Sequence, residues 1–431
     1  MSFSNELQIL KTKFSGWDDV IAVDFTRTAE SVARTGADLI KWMSTQEVKV
    51  DLQALFMPRQ PVMSREEAKQ LIDEWNDDLE AMEAFVLEGK KFVKLPENEL
   101  GHFRSEDCYV FLCRYWVPLD SDLSDDDQEP IEDDFQCVVY FWQGRDASNM
   151  GWLTFTFGLQ KKFQSTLGNK LEIVRTHQQQ ENIKFLSHFK QQFVIHRGKR
   201  NPESDDFESV QFFQIRSNSN PITLRCIEVQ RDASVLNSGF CYLLKIPIMD
   251  APIIYVWIGS KADEEEAKLA EEIAIKKFDD SYTVSIITED EEPELFWSAL
   301  GGAKVVDKDC SFMPFTRLFR CSNDKGYFSI SEKCSDFCQD DLADDDIMIL
   351  DNGSQVFIWI GTRCSEVEIK LAYKSAQVYV QNMRVKQPDN PRQLMLTFKG
   401  KESRKFTKAF HGWSKHKTLN DPRAGMKLQC E

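Results

Sequence analysis

The sequence predicts an α/β (α+β) chain in which one mixed strand-and-helix unit occurs three times. Three observations predict it. An apolar strand-like run ending in W-x-G recurs as VVYFWQG (138–144), IIYVWIG (253–259) and VFIWIG (356–361). Its tryptophans, Trp142, Trp257 and Trp359, stand 115 and 102 residues apart, a domain-sized period rather than a solenoid one. Each run lies between another apolar strand and a helix-length segment, so the order of elements repeats with it.

The strands before W-x-G are DCYVFLCRYW (107–116), GFCYLLKIPI (239–248) and DDIMILD (345–351), and each forms a hairpin with its successor. Helices follow over roughly 149–167, 263–279 and 366–383. In the second, Ala267, Ala270, Ile273, Ala274 and Phe278 recur at helical spacing between charges; in the third, Val367, Leu371, Ala372, Ala376, Val378 and Val380 do the same. A short strand comes next (LEIVRT, YTVSIIT, LMLTFKG), then a small helix with a shared grammar (QENIKFLSHF, EEPELFWSAL, KESRKFTKAF).

Boundaries follow from the repeats. Residues 78–196, 207–304 and 305–415 are the three units, with a polar linker at 197–206 and a tail at 416–431. Within 1–77, FSGW at 14–17 resembles FHGW at 410–413. The chain is therefore expected to begin at the end of an earlier unit and to be part of a longer protein. SREEAKQLIDEWNDDLE (64–80) reads as a linker helix with a serine cap. The first unit carries an insertion, DSDLSDDDQEPIEDD (120–134), whose nine carboxylates repel one another and predict a mobile hairpin tip. Its spacing is not that of an EF-hand, because Asp125 and Ile131 stand where glycine and glutamate belong.

Composition bounds the function. With 42% hydrophobic residues, 31 of them Phe, the chain can fill several cores. Its net charge of −17 argues against general nucleic-acid binding. No apolar run approaches the ~20 residues of a transmembrane segment. The 11 Cys are odd in number and scattered through strand-like runs, which reads as free thiols in a reducing compartment. HRGKR (196–200) reads as a solvated linker face or as a phosphoinositide or acidic-partner contact. No nucleophile elbow, phosphate loop or metal-ligand pair is present, so an enzyme is not expected.

The strings LADDDIMILDNGSQVFIWIG (342–361), TRLFRCSNDKGYF (316–328) and EEPELFWSALGG (291–302) resemble the gelsolin/villin family, and the resemblance runs over about 78–415. The order of units resembles the family's fourth to sixth repeats. The resemblance implies three tandem gelsolin-like domains, each a mixed five-stranded sheet between one long and one short helix. It implies actin as partner, calcium as cofactor, and a cytoplasmic, cytoskeleton-associated module acting in monomer binding, capping or nucleation. Signalling or transcription-related partners and the nucleus stay open. A rival reading is a protein-interaction scaffold with little calcium-dependent actin activity.

Calcium takes six to eight oxygens. The family takes a carbonyl and an Asp side chain at the start of the first hairpin strand, and a Glu early on the long helix. The third unit matches with Asp345, Asp346 and Glu368, so calcium is expected mainly there. Taken without the motif match, the acids read as a solvated turn and a helix-start carboxylate. In the second unit Phe240 replaces the Asp although Glu266 is present. In the first, Glu106 and Asp107 are present, but no acid occurs from 147 to 171. Both are expected to bind weakly or not at all. The first unit's helix has a core stripe of Trp152, Phe155, Leu159, Phe163 and Leu167. A second patch, Met150, Leu153 and Phe157, either faces actin or packs beneath residues 1–77.

Overall fold

The computed structural model describes residues 50–116, 135–201, 209–218, 220–249, 251–333 and 336–414. The FSGW match, the acidic 120–134 segment, residues 202–206 of the linker and the 416–431 tail lie outside them. Among the described residues, 50–61 and 311–414 form one compact unit and 62–310 another.

In the unit of residues 62–310, helix α1 (Arg65–Asp77) starts on a capping box: Ser64 Oγ accepts the Glu67 N–H at 3.1 Å, and Glu67 returns to the Ser64 N–H at 3.0 Å. Strands β2 (Leu79–Glu88), β3 (Lys91–Lys94), β5 (Cys108–Trp116), β6 (Phe135–Gln143) and β7 (Leu171–His177) make a sheet in the order β3-β2-β5-β6-β7. Only the β6–β7 pair is parallel, because the long helix crosses between them. That helix consists of α2 (Met150–Thr154), a π-helical turn (Phe155–Leu159) and α3 (Gln160–Leu167). The short helix α4 (Ile183–Ser187) covers the other face.

The second repeat follows the same plan with β9 (Gln211–Arg216), β10 (Arg225–Glu228), β11 (Cys241–Ile246), β12 (Ile253–Ile258), long helix α5 (Glu264–Lys276), β13 (Thr283–Thr288) and short helix α6 (Glu294–Ala299). Its sheet has seven strands rather than the expected five, because β8 (Val194–His196) and β4 (His102–Arg104) add in parallel to the β10 edge. His102 and His196 meet there, Nδ1 to Nε2 at 2.8 Å.

The other unit holds β14 (Arg317–Ser322), β15 (Phe328–Glu332), β16 (Ile347–Asp351), β17 (Gln355–Ile360), long helix α7 (Glu366–Lys386), β18 (Gln393–Phe398) and short helix α8 (Arg404–Thr407). This sheet has six strands: β1 (Val50–Asp51) pairs in parallel with β15. Leu52 and Leu55, just after β1, are buried in the same core as Phe319, Ile349 and Tyr379. The two added edges are pairings of two or three residues, too short for any periodic signal.

One polar device recurs in all three repeats. The buried indole N–H of Trp142, Trp257 and Trp359 donates to Glu181, Glu292 and Glu402 at 2.9, 2.7 and 2.9 Å. Each glutamate stands four residues before a fully buried phenylalanine of the short helix, Phe185, Phe296 and Phe406. The E-x-x-x-F string therefore ties the short helix to the central strand in each repeat. Glu181 carries a further load: its Oε2 accepts Arg225 Nη2 at 2.6 Å and Nε at 3.0 Å, with both side chains buried.

Candidate functional site: a strand start beside a helix start

The glycine of W-x-G sets the corner where the family's cation ligands would lie. Gly144, Gly259 and Gly361 each donate N–H to the carbonyl of the residue opening the hairpin, Asp107, Phe240 and Asp346, at 2.9, 3.2 and 3.2 Å. A Cβ at any of the three glycines would overlap the backbone carbonyl of Ser105, Ser238 or Asp344. The corner is thus a close backbone contact that brings the strand start beside the start of the long helix.

In the third repeat Asp346 is 2% exposed and its backbone is fixed. Its N–H bonds the Ala343 carbonyl at 3.1 Å, and its own carbonyl accepts Gly361 N–H and, at 3.0 Å, the Cys364 thiol. Its carboxylate holds Arg320: Nε to Oδ2 is 2.7 Å. Arg320 reaches Asp324 with its other arm at 2.6 Å. Burial alone would lower the Arg320 pKa, but the bonds to Asp346 and Asp324 outweigh it and raise it. Glu368 closes the N-terminal capping box of α7, its Oε2 accepting Ser365 N–H at 3.0 Å and Oγ–H at 2.7 Å. The Cys364 thiol, bonded to the Asp346 carbonyl, is pushed up to about 12 by burial, with the negative charges of Glu368, Asp346 and Asp345 adding to it.

The three acids are thus neighbours, but in this arrangement they do not fit a calcium ion. Asp346 faces a guanidinium and Glu368 is turned back on its own helix end. Among the described residues no group of three His, Cys, Asp or Glu converges as a metal site.

Protein donors also fill the corresponding positions of the other repeats. In the second, Glu266 accepts the Ser217 N–H at 2.9 Å and its hydroxyl at 2.5 Å; burial raises its pKa against those bonds. The Phe240 side chain offers no oxygen and lies under the Arg216 guanidinium, 4.9 Å from its ring centre. In the first, Asp107 Oδ2 accepts the Arg200 N–H at 2.6 Å, and burial raises its pKa against that bond. At the helix start Gly151 packs so closely on Cys108 that a Cβ would collide with its sulfur, and Arg175 stacks on Trp152 at 4.7 Å. Within HRGKR, Arg200 pairs with Glu99 at 2.6 Å and also with Glu88, and His196 is buried in β8, while Arg197 and Lys199 are exposed.

The second candidate site is the outer face of the long helix in the first repeat. Phe155 is fully buried, and Trp152, Leu159 and Phe163 pack against the same core. Opposite them Met150, Leu153 and Phe157 are 64%, 43% and 68% exposed. The π turn, closed by the Gln160 N–H on the Phe155 carbonyl, places Phe157 at its middle. The linker helix α1 does not serve this patch: it joins a core with Phe185 and Leu186, and Asn76 Nδ2 donates to the Ser187 carbonyl at 3.1 Å.

Sequence reasoning found the acids, the stripe and the patch. It missed Arg320, which lies on a strand 26 positions before Asp346. It also missed the Trp–Glu bonds, for which the repeated E-x-x-x-F was an available signal.

The gelsolin repeat, as a protein family, matches residues 224–297 and 328–407. Protein flightless-1 of Drosophila melanogaster is 58% identical over 96% of this chain, and the human flightless-1 homolog 53% identical over 95%. The chain spans about a third of the length of these two relatives, 35% and 34%. Gelsolin of Xenopus laevis is 30% identical over 95% of this chain and 91% of its own length. A solved Thorarchaeota 2DGel3/rabbit actin complex overlaps 47% of this chain and 100% of its own, at 20% identity and a TM-score of 0.20, a likeness too slight to carry weight. With the repeat matched in two stretches, the same five-strand order in three sheets, and a gelsolin covered over nearly its whole length, this chain belongs to the gelsolin family.

Proposed function

We propose that this chain is an actin-binding module that regulates filament assembly through monomer binding, capping or nucleation, and that it acts by binding rather than by catalysis. The observation that carries the reading is the Met150, Leu153 and Phe157 patch, three large apolar side chains held out on a helix whose other face is anchored in the core. Family membership supports actin as the partner that covers it. Burying such a patch contributes ~25 cal/mol per Å² before association costs. The test is monomeric-actin affinity of the parent and of Leu153→Asp with Phe157→Asp. We expect a loss of more than tenfold in the folded double variant, and undiminished binding would overturn the contact surface.

Two further parts of the reading follow. The actin contact in the first repeat does not depend directly on calcium, since no acid occurs from 147 to 171 and Arg175 stands at the helix start. Affinity in EGTA should match that in calcium. Calcium as cofactor is assigned by the family to the third repeat, at Asp345, Asp346 and Glu368, in an arrangement other than the one described, with Asp346 released from Arg320 and Glu368 from its cap; it is weak or missing in the first two. Among the described residues no helix is long and apolar enough to cross a membrane, and family membership supports a cytoskeleton-associated place in the cytoplasm. The alternative, an interaction scaffold for signalling or transcription-related partners, draws on the cation positions already served by protein groups. Actin co-sedimentation separates the two.

A further inference from the structure

One guanidinium of the first repeat has no acid to answer it. Arg175 lies on β7 opposite Phe141, the residue before Trp142, on the face where Leu171 and Ile173 pack with the long helix. The same place in the other repeats, opposite Val256 and Ile358, is Ile286 and Leu396. A cation thus replaces an aliphatic side chain.

Its surroundings leave the charge uncompensated. Nη2 donates to two neutral amides, Gln143 Oε1 and Asn149 Oδ1, both at 3.1 Å. Nε is enclosed and has no acceptor among the described residues, and Nη1 makes no bond among them. Burial lowers the pKa, and no carboxylate acts to raise it. Arg200, Arg225 and Arg320, by contrast, each hold a carboxylate. A half-buried charge left unpaired costs folding energy, and an arriving anion relieves that cost.

The place of the charge says what carries the anion. Arg175 stacks on Trp152 and holds Asn149, so it stands at the end of the helix that bears exposed Met150 and Leu153. At the other end of the patch Lys161 reaches over Phe157, 5.6 Å from its ring centre. No Asp or Glu occurs from 147 to 171, in a chain whose net charge is −17. The face is apolar in the middle and cationic at both ends. Its complement is an apolar cleft with an acidic rim.

We propose that Arg175 recognises a carboxylate on the rim of the partner's apolar cleft, and that this bond fixes how the helix face docks. The inference rests on the actin-binding reading of Met150, Leu153 and Phe157, and it adds the charged contact that orients them. Gln143, Asn149 and Trp152 hold the guanidinium in place beforehand, so little side-chain freedom is lost when Nη1 meets the carboxylate.

The experiment measures monomeric-actin affinity and thermal unfolding of the full chain. It compares the parent, Arg175→Gln, Arg175→Lys, Lys170→Gln, and Leu153→Asp with Phe157→Asp. Arg175→Gln should weaken binding roughly tenfold or more yet melt no lower than the parent, because it removes a charge that the fold alone does not compensate. Lys170→Gln makes the same change of net charge just past the far end of the helix, and should bind within about twofold of the parent. Added salt should weaken the parent more than Arg175→Gln. Arg175→Lys keeps the charge without the amide anchors, so its affinity should fall between them, and it decides the matter if Arg175→Gln does not fold. Binding lost only in step with a lowered melting temperature would make Arg175 a structural residue and overturn the proposal. Parent-like binding by Arg175→Gln, with loss in the double variant, would overturn it while leaving the actin contact intact; a parent dimer dissolved by Arg175→Gln would then assign the carboxylate to a second copy of the chain. Parent-like binding by both, or none by the parent, would remove the contact surface and the proposal together.

Discussion

Glu181→Gln tests whether the three Trp–Glu bonds are alike in energy as they are in geometry. Glu181 Oε1 accepts Trp142 Nε1 at 2.9 Å and the Gln179 N–H at 2.8 Å, while Oε2 accepts two bonds from Arg225. Both partners are almost fully enclosed, at 0% and 1% side-chain exposure. An amide in place of the carboxylate leaves the guanidinium buried without its counter-charge and turns an N–H₂ donor toward other donors. Breaking such a pair costs about 3–5 kcal/mol. At roughly 2–4 °C per kcal/mol for a cooperative unit of this size, the melting temperature should fall by about 6–20 °C. Glu292 and Glu402 accept an indole and a backbone N–H, from Asp290 and Gly400. Glutamine retains an acceptor there, so those variants should lose about 1 kcal/mol or less. Calorimetric melting of the three variants decides it, with Glu181→Gln plus Arg225→Met as the cycle partner, which should recover part of the loss. Equal shifts in all three, or a double variant worse than the sum of its parts, would refute the reasoning.

Two more predictions concern stability. Deleting 120–134 should leave the melting temperature within a few degrees, because the β5–β6 ladder is already paired out to Trp116 and Phe135; a large drop would show that the acidic segment packs on something. Acid should destabilise the fold before the carboxylates titrate. Burial lowers His102 and His188 to about 4 and His196 well below its usual value, with Lys277, Arg104 and Lys245 adding positive field around the His102–His196 pair. From pH 6.5 down to about 4 the unfolded chain takes up protons that the folded chain refuses. Stability is therefore lost as pH falls, approaching ~1.4 kcal/mol per pH unit for each histidine. A urea midpoint that does not move between pH 7 and pH 5 would rule this out.

How much of this was legible in the sequence depended on the range of the interaction. The W-x-G corner, the hairpins and the amphipathic stretches of α5 and α7 are local, with periods that can be read directly. The added strands β1, β4 and β8 are not local. Two or three residues supply no period, and nothing near Val50 in sequence points to Phe328. The π turn was hidden for another reason: Trp152, Phe155, Leu159 and Phe163 read as an ordinary helical stripe, while one wider turn changes how Phe157 is presented. At the candidate calcium site, Asp346 and Glu368 came from family resemblance. Their partners Arg320 and Ser365 needed strand register and cap geometry respectively, and of these only the cap, S-x-x-E at 365–368, was written locally.

The pairing of β1 with β15 has a consequence for biosynthesis. Arg59 and the Thr316 carbonyl it bonds lie 257 positions apart. At about 5–20 residues per second, roughly 13–50 s pass between the emergence of one and the other from a ribosome. Throughout that interval Leu52 and Leu55 have no core to enter, and β15, the strand that β1 pairs with, is made only after it. The third repeat is thus sealed by a stretch made long before it, and a nascent chain carries an apolar latch whose keeper is synthesised more than 250 positions later. Holding that latch away from other unfinished chains is work for a chaperone, and a truncation that removes either half should be read first as a folding lesion and only then as a loss of function.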